Sequence, residues 1–93
     1  MKIEFRNIRE FPGYQATNDG RIWNETKKRF LKPFINKQNY STVTLYKNGV
    51  KYCRRINRLI FEAFYRKLQL NEDCHHINHN RLVNRIENLV AID

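Results

Sequence analysis

Apolar and polar positions change period along the chain, and each change marks a different predicted element. From Tyr40 to Tyr46 they alternate, with Tyr40, Thr42, Thr44 and Tyr46 on one face and Val43 and Leu45 on the other. A period of two, filled with β-branched and aromatic residues, predicts a strand. Lys47-Asn48-Gly49 interrupts the run before Val50–Arg55 resumes it, which predicts a hairpin. Upstream, Gln15-Ala16-Thr17 and Arg21-Ile22-Trp23 flank Asn18-Asp19-Gly20, where Asp-Gly supplies the positive φ of a tight turn and predicts a first hairpin. At Ile56 the period lengthens: Ile56, Leu59, Ile60, Ala63 and Phe64 recur at three-and-four spacing, leaving Arg55, Arg58 and Arg66 for the flanks and the polar face. That spacing predicts an amphipathic helix over 56–67. Asp73-Cys74-His75-His76-Ile77 then reads as a short strand, 78–85 as a polar loop, and Ile86–Ile92 as an apolar run too short to assign to strand or helix.

No repeat, low-complexity tract or Pro/Gly/Ser linker divides these elements, so residues 1–93 read as a single mixed domain. Within it, 1–55 form a basic β-hairpin module, 56–67 the helix and 73–93 the C-terminal core. Ninety-three residues hold one modest hydrophobic core, which excludes a multidomain enzyme. Composition adds a bias toward polyanions: 18 Lys and Arg against 9 Asp and Glu give a net charge of +9. With 41% hydrophobic and 13% aromatic residues, the charge decorates a folded body rather than a disordered tail. It is also clustered, in Lys27-Lys28-Arg29 with Lys32 and Lys37, and in Lys47, Lys51, Arg54, Arg55, Arg58, Arg66 and Lys67. A stripe of this kind can follow a phosphate backbone.

No apolar run is long enough for a membrane span, and Met1–Phe5 lacks the features of a signal peptide, so the expected setting is soluble and cytoplasmic, with no membrane partner. Cys53 and Cys74 are too few for a disulfide scaffold and are expected to be free thiols.

The candidate chemistry is concentrated in one segment. All three histidines, His75, His76 and His79, lie within five residues, followed by Asn80, Asn84 and Asn88. Neighbouring side chains on a regular strand point to opposite faces, so His75 and His76 can share a site only where the strand ends, as it does before Asn78. A neutral imidazole can accept a proton from water or bind a divalent cation, and the pair could divide those roles. Two alternatives stand beside this: a zinc site of His76 and His79 with Cys74 or Cys53, and histidines that only hydrogen-bond within a hairpin.

The run from His75 to Leu89, His-His-Ile-Asn-His-Asn-Arg-Leu-Val-Asn-Arg-Ile-Glu-Asn-Leu, resembles the core of the HNH endonucleases, (Asp/His)-His-x-(Asp/Asn)-Gly-Asn-(Arg/Lys)-x-x-Asn-x-x-x-Asn-Leu. Phe11-Pro12-Gly13-Tyr14-Gln15-Ala16-Thr17-Asn18-Asp19-Gly20-Arg21-Ile22 resembles the nuclease-associated modular motif that precedes that core in phage and intron-homing endonucleases. Arg55–Phe64 resembles the helix-forming block between them, with Asn57 where the family usually has His. Three blocks in the family's order are far more specific than one short motif.

The resemblance implies an α+β fold of two N-terminal β-hairpins, one amphipathic helix and a C-terminal ββα-metal-like β-hairpin. It implies that His76 is the general base, that His75 is a ligand of a divalent cation, and that Asn88 braces the loop holding His76. Lys27, Lys28, Arg29, Lys47, Lys51, Arg54, Arg55 and Arg58 become the expected contacts to DNA phosphates, since Arg and Lys grip any backbone. The chain departs from the pattern at His79, which stands where the family has Gly. It reaches Asp93 before most or all of the helix that carries the family's last metal ligand. A lone imidazole favours Mn²⁺, Ni²⁺ or Zn²⁺ over Mg²⁺, with a homodimer as one way to complete the site. The leading expectation is a metal-dependent DNA endonuclease of homing or phage type. Its rival is a non-catalytic nucleic-acid-binding regulator or inhibitor derived from one, with a protein target.

Overall fold

The computed structural model describes residues 2–93. Its first sheet has four antiparallel strands in chain order, β1 (Phe5–Asn7), β2 (Tyr14–Thr17), β3 (Ile22–Asn24) and β4 (Arg29–Phe30). The predicted first hairpin is its centre, with Gln15 opposite Trp23 and Ala16 opposite Ile22. Gly20, at φ +95°, makes the turn. Thr17 reinforces it, since its hydroxyl bonds the Asp19 carboxylate and accepts from Arg21 N–H. The second sheet comprises β5 (Phe34–Ile35), β6 (Ser41–Lys47) and β7 (Val50–Arg55). Its hairpin register runs from Thr42 opposite Arg55 to Lys47 opposite Val50. Asn48 at φ 53° and Gly49 at φ 78° have the paired positive φ that suits the right-handed twist of the flanking strands.

Strands β1, β4 and β5 carry no period of their own, being two or three residues long. They exist because neighbours pair with them. Phe5, Trp23 and Phe30 meet across the first sheet, with ring centroids 5.9 Å apart for Phe5 and Trp23 and 4.9 Å apart for Trp23 and Phe30.

Helix α1 (Ile56–Phe64) follows β7 directly and is the hub of the molecule. Its apolar face buries Ile56, Leu59, Ile60 and Phe61 with Ala16, Ile22, Val43, Leu45 and Leu89, joining the sheets into one core. The helix stops three residues short of the expected Lys67. Backbone N–H of Leu68 donates to the Glu62 carboxylate at 2.8 Å, and Arg66 makes a bidentate pair with Glu72 at 2.7 and 2.8 Å. These side-chain contacts close a loop that buries Leu68, and they replace helical continuation.

The ambiguous C-terminal apolar run resolves into a 3-10 turn, Ile86–Asn88, and a strand, β9 (Leu89–Ile92). That strand pairs antiparallel with β8 (Asp73–His76), with His75 opposite Val90 and His76 opposite Leu89. The fold is therefore α+β, with hairpins, one α-helix and a third hairpin in the order expected. No helix among the described residues is long and apolar enough to cross a membrane.

Both cysteines are free. Cys74 is 2% exposed and its Sγ donates to the Asn57 carbonyl, while Cys53 is exposed. Burial pushes the Cys74 thiol up to about 12. Iodoacetamide is expected to modify Cys53 alone in the folded protein and both thiols in denaturant. Intact-mass spectrometry checks this, and alkylation of Cys74 under native conditions would contradict the packing.

Candidate active site

The β8–β9 hairpin determines where the histidines go. Strand alternation sends His76 inward, 4% exposed, and leaves His75 half-buried on the other face. The strand ends at His76, whose carbonyl accepts from His79 N–H at 2.9 Å, and His79 turns through φ 64°. This tight turn brings the His79 ring back to His75, with centroids 5.4 Å apart and planes at 79°. A cavity of about 180 Å³ opens there, lined by Tyr40, His75, His76, His79 and Arg81 among others.

His76 is held by a residue whose role the sequence left unassigned. Its Nε2 lies 2.7 Å from Oδ1 of Asn84, which is itself buried. An amide oxygen can only accept, so with this partner Nε2 is the donor, and in the neutral ring Nδ1 would keep the lone pair. The available signal was the fixed place of Asn84 in the asparagine-rich motif.

The loop between the strands owes its shape to the other asparagines. Asn88 Nδ2 donates to Asn78 Oδ1 at 3.0 Å and to the Val83 carbonyl at 2.9 Å, while its Oδ1 accepts from Asn78 N–H at 3.1 Å. Asn78 Oδ1 also accepts from Asn80 N–H, and Asn80 Oδ1 from Leu82 N–H. Short amides thus satisfy backbone donors that no ladder reaches, which fixes an otherwise irregular segment. Behind the strand, buried Asn57 donates to the Cys74 carbonyl at 2.9 Å and ties α1 to β8.

The first sheet supports the same loop. Ile86 N–H donates to the Asn18 carbonyl at 3.0 Å, and the Gly20 turn lies directly against the backbone of Asn84 and Arg85. The turn of the N-terminal hairpin therefore buttresses the residue that holds His76.

The basic residues divide by what they touch. Arg55 and Arg81 both pack on Tyr40, with Cζ 3.9 and 4.4 Å from its ring centroid, and the Tyr40 ring lies 6.1 Å from that of His76. This aromatic spacer sets two guanidiniums beside the cavity. Arg54 stacks on Tyr52 at 5.1 Å. Lys28 pairs with Glu25 and Arg58 with Asp73, so these two cations are partly neutralised. Lys27, Arg29, Lys47 and Lys51 are exposed, and none of them makes an ion pair among the described residues.

The zinc alternative is not supported. Among the described residues no three His, Cys, Asp or Glu side chains gather as a ligand set. Cys74 Sγ faces the Asn57 carbonyl, Cys53 lies beside Thr44, and His76 Nε2 is engaged by Asn84. The donors that remain at the cavity are the imidazoles of His75 and His79 and the Asp73 carboxylate, which is paired with Arg58. Nitrogen donors with open positions around them fit Mn²⁺, Ni²⁺ or Zn²⁺ better than Mg²⁺, which demands oxygen.

A β-hairpin carrying paired histidines, closed by an asparagine-braced loop and packed on a helix, is the arrangement expected of an HNH-type nuclease core. Comparison with known proteins agrees. Residues 4–46 match the NUMOD4 motif. The uncharacterized HNH endonuclease L247 of Acanthamoeba polyphaga mimivirus is 27% identical over 89 residues, covering 92% of this chain and 22% of that protein. Its counterpart L245 from the same virus is 30% identical over 76 residues, covering 82% of this chain and 23% of that protein. This chain thus spans less than a quarter of either relative. A structure described as DNA binding and cleavage by the HNH homing endonuclease I-HmuI superposes with a TM-score of 0.87. It covers 96% of this chain and 52% of that one, at 24% identity, and shows a shared fold. This chain is thus similar to HNH endonucleases in sequence and shares the fold of a homing endonuclease, with a NUMOD4 match over its first half.

Proposed function

We propose that this chain binds DNA through its basic hairpins and hydrolyses a phosphodiester bond at the His75–His76–His79 cavity with a divalent cation. The observation that carries the reading is the Nε2–Asn84 hydrogen bond of His76, which engages one ring nitrogen and leaves Nδ1 for the reaction on a residue lining an open, partly cationic cavity. In this scheme His76 Nδ1 takes a proton from the attacking water. Arg55 and Arg81, steadied on Tyr40, hold the scissile phosphate against that water, and Asn88 keeps the loop rigid while the proton moves. A divalent cation, held by His75, would supply charge stabilisation to the phosphate and the leaving oxygen. Lys27, Lys28, Arg29, Lys47, Lys51, Arg54 and Arg58 would contact the flanking backbone. A homing or phage-borne enzyme working in the cytoplasm fits this chemistry.

The test is supercoiled plasmid incubated with the full chain and Mg²⁺, Mn²⁺, Ni²⁺ or Zn²⁺, with and without EDTA. Nicking that needs a metal is the expected outcome, strongest with the transition ions. Affinity measured without metal is expected to fall by about 0.9 decade per decade of salt for each phosphate neutralised. Salt-sensitive binding with no metal-dependent cleavage would overturn the enzyme and favour the non-catalytic regulator.

A further inference from the structure

We infer that His79 joins His75 as a second ligand, making the cavity a two-imidazole site selective for transition-metal cations over Mg²⁺. This rests on the reading of the cavity as a metal site and extends it to a residue for which the HNH pattern has Gly.

The fold gives His79 no structural task. Its φ of 64° lies in the left-handed region, which Gly enters freely and which His, like Asn and Asp, enters more readily than other side chains. The residue is exposed, and its ring makes no hydrogen bond among the described residues. Its aromatic contact is the edge-to-face approach to His75. What the turn does achieve is placement: the His79 ring lies 5.4 Å, centroid to centroid, from that of His75. Two imidazoles bound to one ion at a nitrogen–metal distance of about 2.1 Å have centroids roughly 5 Å apart when the angle at the ion is near tetrahedral. The observed pair is already at that spacing, and side-chain torsions of the two rings could turn a nitrogen of each toward a shared ion.

The surroundings define the kind of ion. Two imidazole nitrogens favour Ni²⁺ and Zn²⁺, whereas Mg²⁺ dehydrates reluctantly and demands oxygen, and the one carboxylate lining the cavity, Asp73, is paired with Arg58 at 3.1 Å. Two protein ligands leave positions open for water or a phosphate oxygen, which suits a reactive site rather than a structural one. Arg81, on the wall of the same cavity, opposes a bare dication, and phosphate on the open positions offsets that repulsion.

The test is isothermal titration of Ni²⁺ and of Mg²⁺ into the tag-free full chain without DNA, for the parent, His79→Gly and His75→Gln. The parent is expected to bind one Ni²⁺ and to bind Mg²⁺ far more weakly. His79→Gly relieves the turn, so its thermal midpoint is expected to hold or rise while Ni²⁺ affinity falls by roughly tenfold or more. His75→Gln is expected to show a similar loss. In NMR the imidazole signals of His75 and His79, and not that of His76, are expected to respond first. Unchanged Ni²⁺ affinity in His79→Gly, or no Ni²⁺ binding by the parent, would overturn the inference. Mg²⁺-supported cleavage in a chain that binds no Ni²⁺ would overturn it while leaving the nuclease reading intact. Stoichiometric Ni²⁺ binding lost in His79→Gly, in a chain that never cleaves, would support the site and remove the nuclease.

Discussion

Replacing Gly20 with alanine is expected to destabilise the protein by about 2–5 kcal/mol, far more than a glycine in a surface turn would suggest. Two independent costs add. The backbone sits at φ +95°, where an L side chain is strained by about 1–2 kcal/mol. A Cβ would also lie 2.8 Å from the Asn84 carbonyl carbon, 3.0 Å from its oxygen and 3.1 Å from Arg85 N, all backbone atoms that cannot rotate away. Overpacking of that kind typically costs about 1–3 kcal/mol. In a domain of this size the thermal midpoint is expected to fall by roughly 10 °C or more, measurable by circular dichroism. Gly49→Ala is the control. It has a similar φ of +78° but no atom within 4 Å of the added Cβ, so only the conformational cost of about 1 kcal/mol remains. Equal losses in the two variants would show that the turn–loop contact carries no weight. The contact also links modules: pushing the Asn84 backbone away displaces the amide on His76, so any DNA cleavage should fall more steeply than stability alone dictates.

That coupling explains which parts of the molecule were legible in the sequence. The central hairpins and the start of α1 were readable because Asn18-Asp19-Gly20, Lys47-Asn48-Gly49 and the Ile56–Phe64 spacing each carry a local physical reason. Strands of two or three residues were not, because β1, β4 and β5 owe their existence to partners rather than to their own pattern. The helix end was misread for a related reason, since Glu62 and Glu72 cap and close the following loop through side chains that periodicity ignores. Within the site, the histidine cluster was visible as density along the chain. Tyr40 was not, because its contact with Arg55, His76 and Arg81 joins residues up to 41 positions apart. Arg58 and Lys28, expected as free phosphate contacts, proved to have carboxylate partners that charge counting does not reveal.

His76→Ala is expected to lower metal-dependent cleavage by roughly 10²–10⁴-fold while leaving metal-free DNA affinity within about twofold. The split follows from position. His76 is 4% exposed and lies at the cavity, whereas Lys27, Arg29, Lys47 and Lys51, which make no ion pair among the described residues, sit on exposed turns and strands that do not line it. Single-turnover cleavage and fluorescence anisotropy read the two effects separately. Asn84→Ala provides the sharper test of mechanism. It keeps the imidazole but removes the acceptor at 2.7 Å from Nε2, leaving a buried N–H unpaired at a cost of about 1–3 kcal/mol. The ring can then recover a partner by flipping or by moving its proton to Nδ1, and either change alters which nitrogen is left to accept a proton. Cleavage by Asn84→Ala is therefore expected to fall by roughly 10–10²-fold, short of the loss in His76→Ala, because the base is misdirected rather than absent. The double variant should be no worse than His76→Ala, since Asn84 acts only through His76. Additive losses in the double variant would mean that Asn84 contributes independently, and full activity in Asn84→Ala would mean that His76 needs no fixed tautomer to act as the base.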